Sequence, residues 1–213
     1  QLHAEKKQEN IFMQQWIHQM KTPLSVMRLT LEKEEHNLPV QFKQDMDEEL
    51  DRIKQGLQLA LYQSRLQQFE RDFHVEKIGL KDLVHSIIQE YKSSFIRKRV
   101  YPKVEIDPTL HIYSDQKWLG FVLEQITANA IKYASNTNSN IVYQASVWEG
   151  AIELKITDHG IGIPKQDLKR IFDPFFTGEN GRNYRESTGM GLFLAKQICD
   201  SLEHQLTVSS EVM

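Results

Sequence analysis

Residues 151–164 read Ala-Ile-Glu-Leu-Lys-Ile-Thr-Asp-His-Gly-Ile-Gly-Ile-Pro. Apolar and polar residues alternate from Ala151 to Thr157, which is the period of a half-buried strand. At Asp158 the alternation stops, and a Gly-x-Gly segment follows that ends in Pro164. Asn140–Val147 alternates in the same way, with Glu149-Gly150 between the two runs as a turn signal. Together they predict an antiparallel hairpin whose second strand delivers Asp158 into a glycine-bearing loop.

Working outward, Phe73-His74-Val75 and Val104-Glu105-Ile106 read as short strands. Residues 80–96 and 115–134 carry helical periodicity, and 159–188 reads as a loop-rich stretch. A helix from about Gly189 to Leu202 and a strand at Gln205–Ser209 close the chain. Helices mixed with antiparallel strands in this way predict an α+β sandwich, one sheet with helices on one face.

The N-terminal third has another texture. Up to residue 68 the one glycine is Gly56, and the prolines are Pro23 and Pro39. Ile17, Met20, Leu24, Met27 and Leu31 form one helical stripe; Phe42, Met46, Leu50, Ile53, Leu57 and Leu61 form a second. The break at His36-Asn37-Leu38-Pro39 is short, and Pro39 suits the first turn of a new helix. Residues 1–68 therefore predict a two-helix hairpin, and 70–213 a second domain with its boundary near 67–72. A lone hairpin leaves half of each seam uncovered, so pairing into a homodimeric four-helix bundle is expected.

Composition narrows the function. The chain has 213 residues, 40% of them apolar, and a formal charge of −3, so bulk charge gives no case for a nucleic-acid binder. The single cysteine, Cys199, excludes an internal disulfide and a cysteine-based zinc cage. No run of about 18 apolar residues exists to span a bilayer. The polar opening stretch is no signal peptide. Opening on Gln1 and stopping after a strand-like run, the sequence reads as a fragment of something longer.

Four motifs stand in order: Asn129-Ala-Ile-Lys132-Tyr133, Asp158-His-Gly160-Ile-Gly162-Ile163-Pro164, Phe172-Asp-Pro-Phe175-Phe176, and Thr188-Gly189-Met190-Gly191-Leu192. A strand-end Asp can accept a hydrogen bond from the exocyclic amine of adenine, and glycines let backbone approach the ring. Gly-x-Gly at a helix start offers free N–H groups and a positive dipole end to phosphates. Asn129 is a neutral oxygen donor for Mg²⁺, and Lys132 can reach phosphate as a point charge. On the first long helix stands Trp16-Ile17-His18-Gln19-Met20-Lys21-Thr22-Pro23. Ile17 belongs to the seam, which puts His18 on the rim. Pro23 inside a helix must kink it or disturb its hydrogen bonds, at about 3 kcal/mol. The other seven histidines show no close His/His spacing and suggest no metal site.

Taken together these residues resemble a sensor histidine kinase of two-component systems over nearly the whole chain. His18-Gln-Met-Lys-Thr-Pro is similar to the phospho-acceptor box of the dimerisation and phosphotransfer hairpin. The Asn129, Asp158, Phe172 and Gly189 motifs match the N, first-glycine, F and second-glycine boxes of the ATP-binding domain, whose fold is shared with Hsp90. Trp16-x-His18-Gln19-x-Lys21-Thr22-Pro23 and Phe175-Phe-Thr-Gly-Glu-Asn-Gly-Arg182 further resemble the intramembrane-sensing kinases of Gram-positive bacteria, which work with peptide-antibiotic transporters.

The resemblance implies the site. His18 would attack the γ-phosphate of ATP, and the group would pass to an aspartate of a response regulator's receiver domain. Thr22, on the same helical face, would position water for the reverse phosphatase reaction. Asn129, with Gln125 in support, would hold Mg²⁺; Lys132 would contact phosphate and Tyr133 would line the pocket. Asp158 would read adenine. Gly160, Gly162, Ile163, Thr188, Gly189, Met190, Gly191 and Leu192 would shape the pocket, and Phe175 and Phe176 would anchor a lid spanning about 164–188. The chain would be the cytoplasmic portion of a bacterial plasma-membrane protein, linked to an ABC transporter through membrane segments outside this sequence.

Two positions depart from the family pattern. Gln19 stands where Glu or Asp is common; it cannot take a proton, although it can hydrogen-bond the imidazole. A neutral imidazole already presents a lone pair, and phosphoryl transfer rests mainly on positioning and charge neutralisation. Gln125 replaces a common Asn four residues before Asn129. An ATPase of the Hsp90/MutL type is the nearest rival, but it places a Glu at that point and has no use for the His18 box. A non-catalytic scaffold is the other alternative, favoured by Gln19 alone. Glu179, Arg182, Arg185 and Glu186 read as a solvated loop, or else as a source of arginines that fold onto phosphate when the lid closes.

Overall fold

The computed structural model describes residues 2–134, 139–179 and 188–212, with side chains described from residue 12 onward except at 71. The chain divides into two units, Gln1–Asp72 and Phe73–Met213.

The first unit holds two long helices, α1 (Leu2–Lys33) and α2 (Val40–Leu66), followed by the short α3 (Phe69–Asp72). Ile17, Leu24, Leu50, Leu57 and Leu61 form its buried core, with Met20, Leu31 and Ala60 packed against it. An Arg28–Asp51 ion pair ties the two helices, and Lys43–Glu35 at 2.7 Å ties the turn to α2. Pro39 sits just outside α2 as its N-cap, in extended conformation, rather than within the first turn. Pro23 does not interrupt α1, which runs on as one helix on either side of it. The cost is local: Pro23 has no N–H to give the Gln19 carbonyl, while Ser25 Oγ donates to the Lys21 carbonyl at 2.9 Å.

The second unit runs β1 (Glu76–Gly79), α4 (Leu80–Glu90), α5 (Lys92–Lys98), β2 (Val100–Glu105), β3 (His111–Ser114), α6 (Gln116–Lys132), β4 (Ser139–Trp148), β5 (Ala151–Thr157), α7 (Lys165–Leu168) and α8 (Gly191–Ser201). The hairpin forms as its alternation predicts: β4 and β5 are antiparallel, and Glu149 and Gly150 both take positive φ, 51° and 83°, as a twisted two-residue turn requires. β4 turns Ile141 and Tyr143 inward to the helices and leaves Gln144 outside, so helices cover one face. Phe121, Leu194, Ala195 and Ile198 close the core between α6, α8 and the sheet.

Three expectations are corrected. The described strands form two sheets, not one: β1 pairs antiparallel with β3, and β2-β4-β5 form a separate sheet with β2 parallel to β4. β2 ends its sheet among the described residues, a position that tolerates Pro102, which has no N–H for a ladder bond. Residues 73–75 are not a strand, because the His74 N–H is taken by the Asp115 carboxylate at 2.8 Å rather than by a ladder partner. Residues 205–209 join neither sheet among the described residues; Val208 is 42% exposed and the segment leaves α8 through a left-handed Glu203.

Candidate functional site

α6 is the frame of the site in the second unit. Asp115 caps it, accepting the N–H groups of Lys117 at 2.9 Å and Trp118 at 3.1 Å. Thr127 is fully buried and bonds the Tyr143 hydroxyl at 3.0 Å, which pins α6 to β4. Burial pushes the Tyr143 phenol up to about 12, so it stays a neutral partner. Successive turns of the fixed helix then carry Gln125, Asn129 and Lys132 along its length. Gln125 is buried, whereas Asn129, Lys132 and Tyr133 are half-buried. The Lys132 ammonium lies 5.5 Å from the centre of the Tyr133 ring.

The Asp158 loop is stitched to the end of that helix. Ile161 N–H donates to the Tyr133 carbonyl at 3.1 Å, and Ala134 and Gly160 form an isolated bridge. Asp158 Oδ1 accepts the Gly160 N–H at 2.9 Å, and the carboxylate is solvent-exposed. A Cβ on Gly160 would lie 2.6 Å from the Tyr133 carbonyl oxygen, so this position has no room for a side chain.

The Gly189 segment reaches the same helix about two turns earlier. A Cβ on Gly191 would stand 2.7 Å from Gln125 Oε1, one turn before Asn129. Gly189 takes φ 67°, and its Cβ would lie 2.5 Å from the Phe175 carbonyl carbon; Phe175 N–H donates to the Gly189 carbonyl at 3.1 Å. α8 opens at Gly191 with no side-chain cap on its N-terminus, which leaves backbone N–H groups and the positive dipole end available to an anion. Thr188 Oγ1 accepts the Met190 N–H at 3.3 Å. Met190 and Leu192 are half-buried there.

Between these lie the loop residues 164–179. Phe175 is 74% exposed and holds a positive φ of 61°, while Phe176 is half-buried under Arg170, 4.3 Å from its ring centre. Asp167 Oδ2 accepts the Glu179 N–H at 3.0 Å. Arg182, Arg185 and Glu186 lie outside the described residues. The contacts of α6 thus bring three of the four sequence motifs together, and Gly189 joins the fourth to them.

In the first unit His18, Gln19 and Thr22 are all exposed beside the fully buried Ile17, with Thr22 one turn beyond His18. Pattern alone missed β1 and β3, each four residues and too short to show alternation, the one-turn α7 inside the stretch read as loop, and Ser210 in the closing segment, whose Oγ accepts the Ile163 N–H at 2.8 Å. No group of three or more His, Cys, Asp or Glu side chains is placed to hold a metal among the described residues. A cation held by one or two amide oxygens and completed by phosphate and water fits this donor set. No described helix is long and apolar enough to cross a membrane.

Residues 114–212 match the family described as histidine kinase-, DNA gyrase B-, and HSP90-like ATPase. The chain is 45% identical to sensor histidine kinase YxdK of Bacillus subtilis over 93% of its length, covering 60% of that protein. It is 36% identical to sensor protein BceS of Halalkalibacterium halodurans over 92% of its length, covering 57% of it. Among solved structures, Acinetobacter baumannii histidine kinase AdeS is similar with a TM-score of 0.62 at 20% identity, over 92% of each chain. That likeness concerns the fold.

Proposed function

The chain belongs to the sensor histidine kinases, and from that premise we propose that it phosphorylates His18 from Mg-ATP and passes the group to an aspartate of a response regulator. The observation that carries this reading is the junction at α6, where the Asp158 loop meets Tyr133 and the uncapped start of α8 meets Gln125. Adenine and phosphate recognition would thus flank one helix that bears Asn129 and Lys132.

In this reading Asp158 accepts from the adenine amine, using the carboxylate oxygen that Gly160 does not engage. The Gly191 N-terminus and Lys132 neutralise phosphate charge, and Tyr133 walls the pocket. Asn129, with the Gln125 amide nearby, would hold Mg²⁺, which supplies charge neutralisation between the phosphates when bound. A ring nitrogen of His18 forms a bond to the γ-phosphorus; the bond from that phosphorus to the bridging oxygen breaks and its electrons leave with ADP. The ring N–H proton then departs. Gln19 cannot accept it, but His18 is exposed, so water takes it, and the Gln19 amide serves to orient the ring.

The hairpin leaves Met27 49%, Phe42 46% and Ile53 50% exposed along the seams. Pairing of two hairpins into a four-helix bundle would cover them. Thr22, on the His18 face, would position water for dephosphorylation of the regulator. The stimulus would arrive through membrane segments outside this chain, in the manner of kinases that partner ABC transporters. Asp158→Ala tests the nucleotide reading: binding of a fluorescent ATP analogue should weaken at least about tenfold, equal to 1.4 kcal/mol, with the fold intact by circular dichroism. Unchanged binding would remove adenine recognition from Asp158.

A further inference from the structure

The segment after α8 is held at separate points although it joins no sheet among the described residues. It leaves the helix by a paired turn, with Glu203 N–H bonded to the Asp200 carbonyl at 3.2 Å and His204 N–H to the Cys199 carbonyl at 2.8 Å. His204 Nε2 then meets the buried Ser114 hydroxyl at 2.9 Å. Six residues on, Ser210 Oγ accepts the Ile163 N–H at 2.8 Å. Next to that bond, Gly162 takes φ 74°, and a Cβ there would stand 2.2 Å from the Glu211 carbonyl oxygen and 2.9 Å from the Val212 Cα. Residues 210–212 therefore press directly on the backbone of the Asp158 loop.

That loop is attached in both halves, and its His159 Nδ1 also lies 3.2 Å from the Asn140 carbonyl oxygen. Its first half is bonded to the end of α6 through Gly160 and Ile161. Its second half is bonded to Ser210 through Ile163. Asp158 precedes the first attachment, and Pro164 and α7 follow the second. Without Ser210 the half-buried Ile163 N–H loses this acceptor, and the second half of the loop is held less tightly.

We infer that Ser210 is a positioning residue for the nucleotide: its hydroxyl clamps the Gly162-Ile163 backbone and thereby fixes where the Asp158 loop meets the adenine ring. This rests on the nucleotide reading of Asp158 given above. Ser210 acts through Ile163 and touches no reacting atom, so its effect belongs in affinity for ATP and not in the saturated rate.

The test uses the full chain with Ser210→Ala and Ser210→Thr, read by half-saturating Mg-ATP, by the autophosphorylation rate at saturation and by hydrogen exchange of the Ile163 amide. Ser210→Ala should raise half-saturating ATP about five- to tenfold, the size expected for one lost hydrogen bond. The saturated rate should stay within about twofold and Ile163 should exchange about tenfold faster, while Ser210→Thr, which keeps the hydroxyl, behaves as wild type. Wild-type affinity in Ser210→Ala, or equal losses in Ala and Thr, would overturn the inference. Faster Ile163 exchange in a protein whose wild type binds no Mg-ATP would instead overturn the nucleotide reading and leave the clamp as a purely structural contact.

Discussion

Gly189 and Gly191 stand two residues apart under unequal constraint. At Gly189 both the positive φ and the backbone of Phe175 and Phe176 exclude a side chain. At Gly191 the one close neighbour is the end of the Gln125 side chain, which can move. Gly189→Ala should cost at least about 2 kcal/mol and loosen nucleotide binding, whereas Gly191→Ala should stay within about 1 kcal/mol. Thermal midpoints of the two variants compare them directly; equal losses would contradict this ranking. Cys199 gives a second test. Burial, then Asp200 nearby, pushes its thiol up to about 11, and the residue is 4% exposed. A thiol with a raised value is protonated and unreactive below it. A colorimetric disulfide reagent at pH 8 should therefore react slowly with the native protein and quickly in denaturant. Fast reaction in the native state would mean that α8 is open to solvent around Cys199.

Among the elements, legibility followed period and length. The β4–β5 hairpin and α6 could be read from the sequence because their repeats are long and a two-residue turn or an Asp cap marks an end. β3 could not, since four residues show no repeat, and neither could the division into two sheets, which is set by long-range pairing. Residues 73–75 and 205–209 misled for one reason: extended chain reads alike whether its N–H groups meet a strand or a side chain. Asp115 supplies such a partner to the His74 N–H from 41 positions away, while 205–209 runs between the side-chain contacts of His204 and Ser210 with no strand partner among the described residues. The Asn129, Asp158 and Gly189 segments were legible as a set because their chemistry is local. Their junctions at Tyr133, Gln125 and Phe175 join residues far apart in the chain and arise only from the fold.

At the scale of the molecule the hairpin, among its described residues, buries five apolar side chains and leaves others of the same two stripes open. A second copy is the occupant the proposed function requires. Ile53→Asp should convert the dimer to monomer in sedimentation analysis without loss of helix by circular dichroism, because its side chain is half exposed within one hairpin. A dimer that persists in this variant would place the contact elsewhere. The central claim is transfer of the γ-phosphoryl group to His18, and it is tested by incubating the chain with γ-labelled Mg-ATP beside His18→Gln. The account predicts a label that is lost in acid, kept in alkali and absent from the variant. Label that survives acid, label of equal strength in His18→Gln, or no label on a chain that binds Mg-ATP would contradict it.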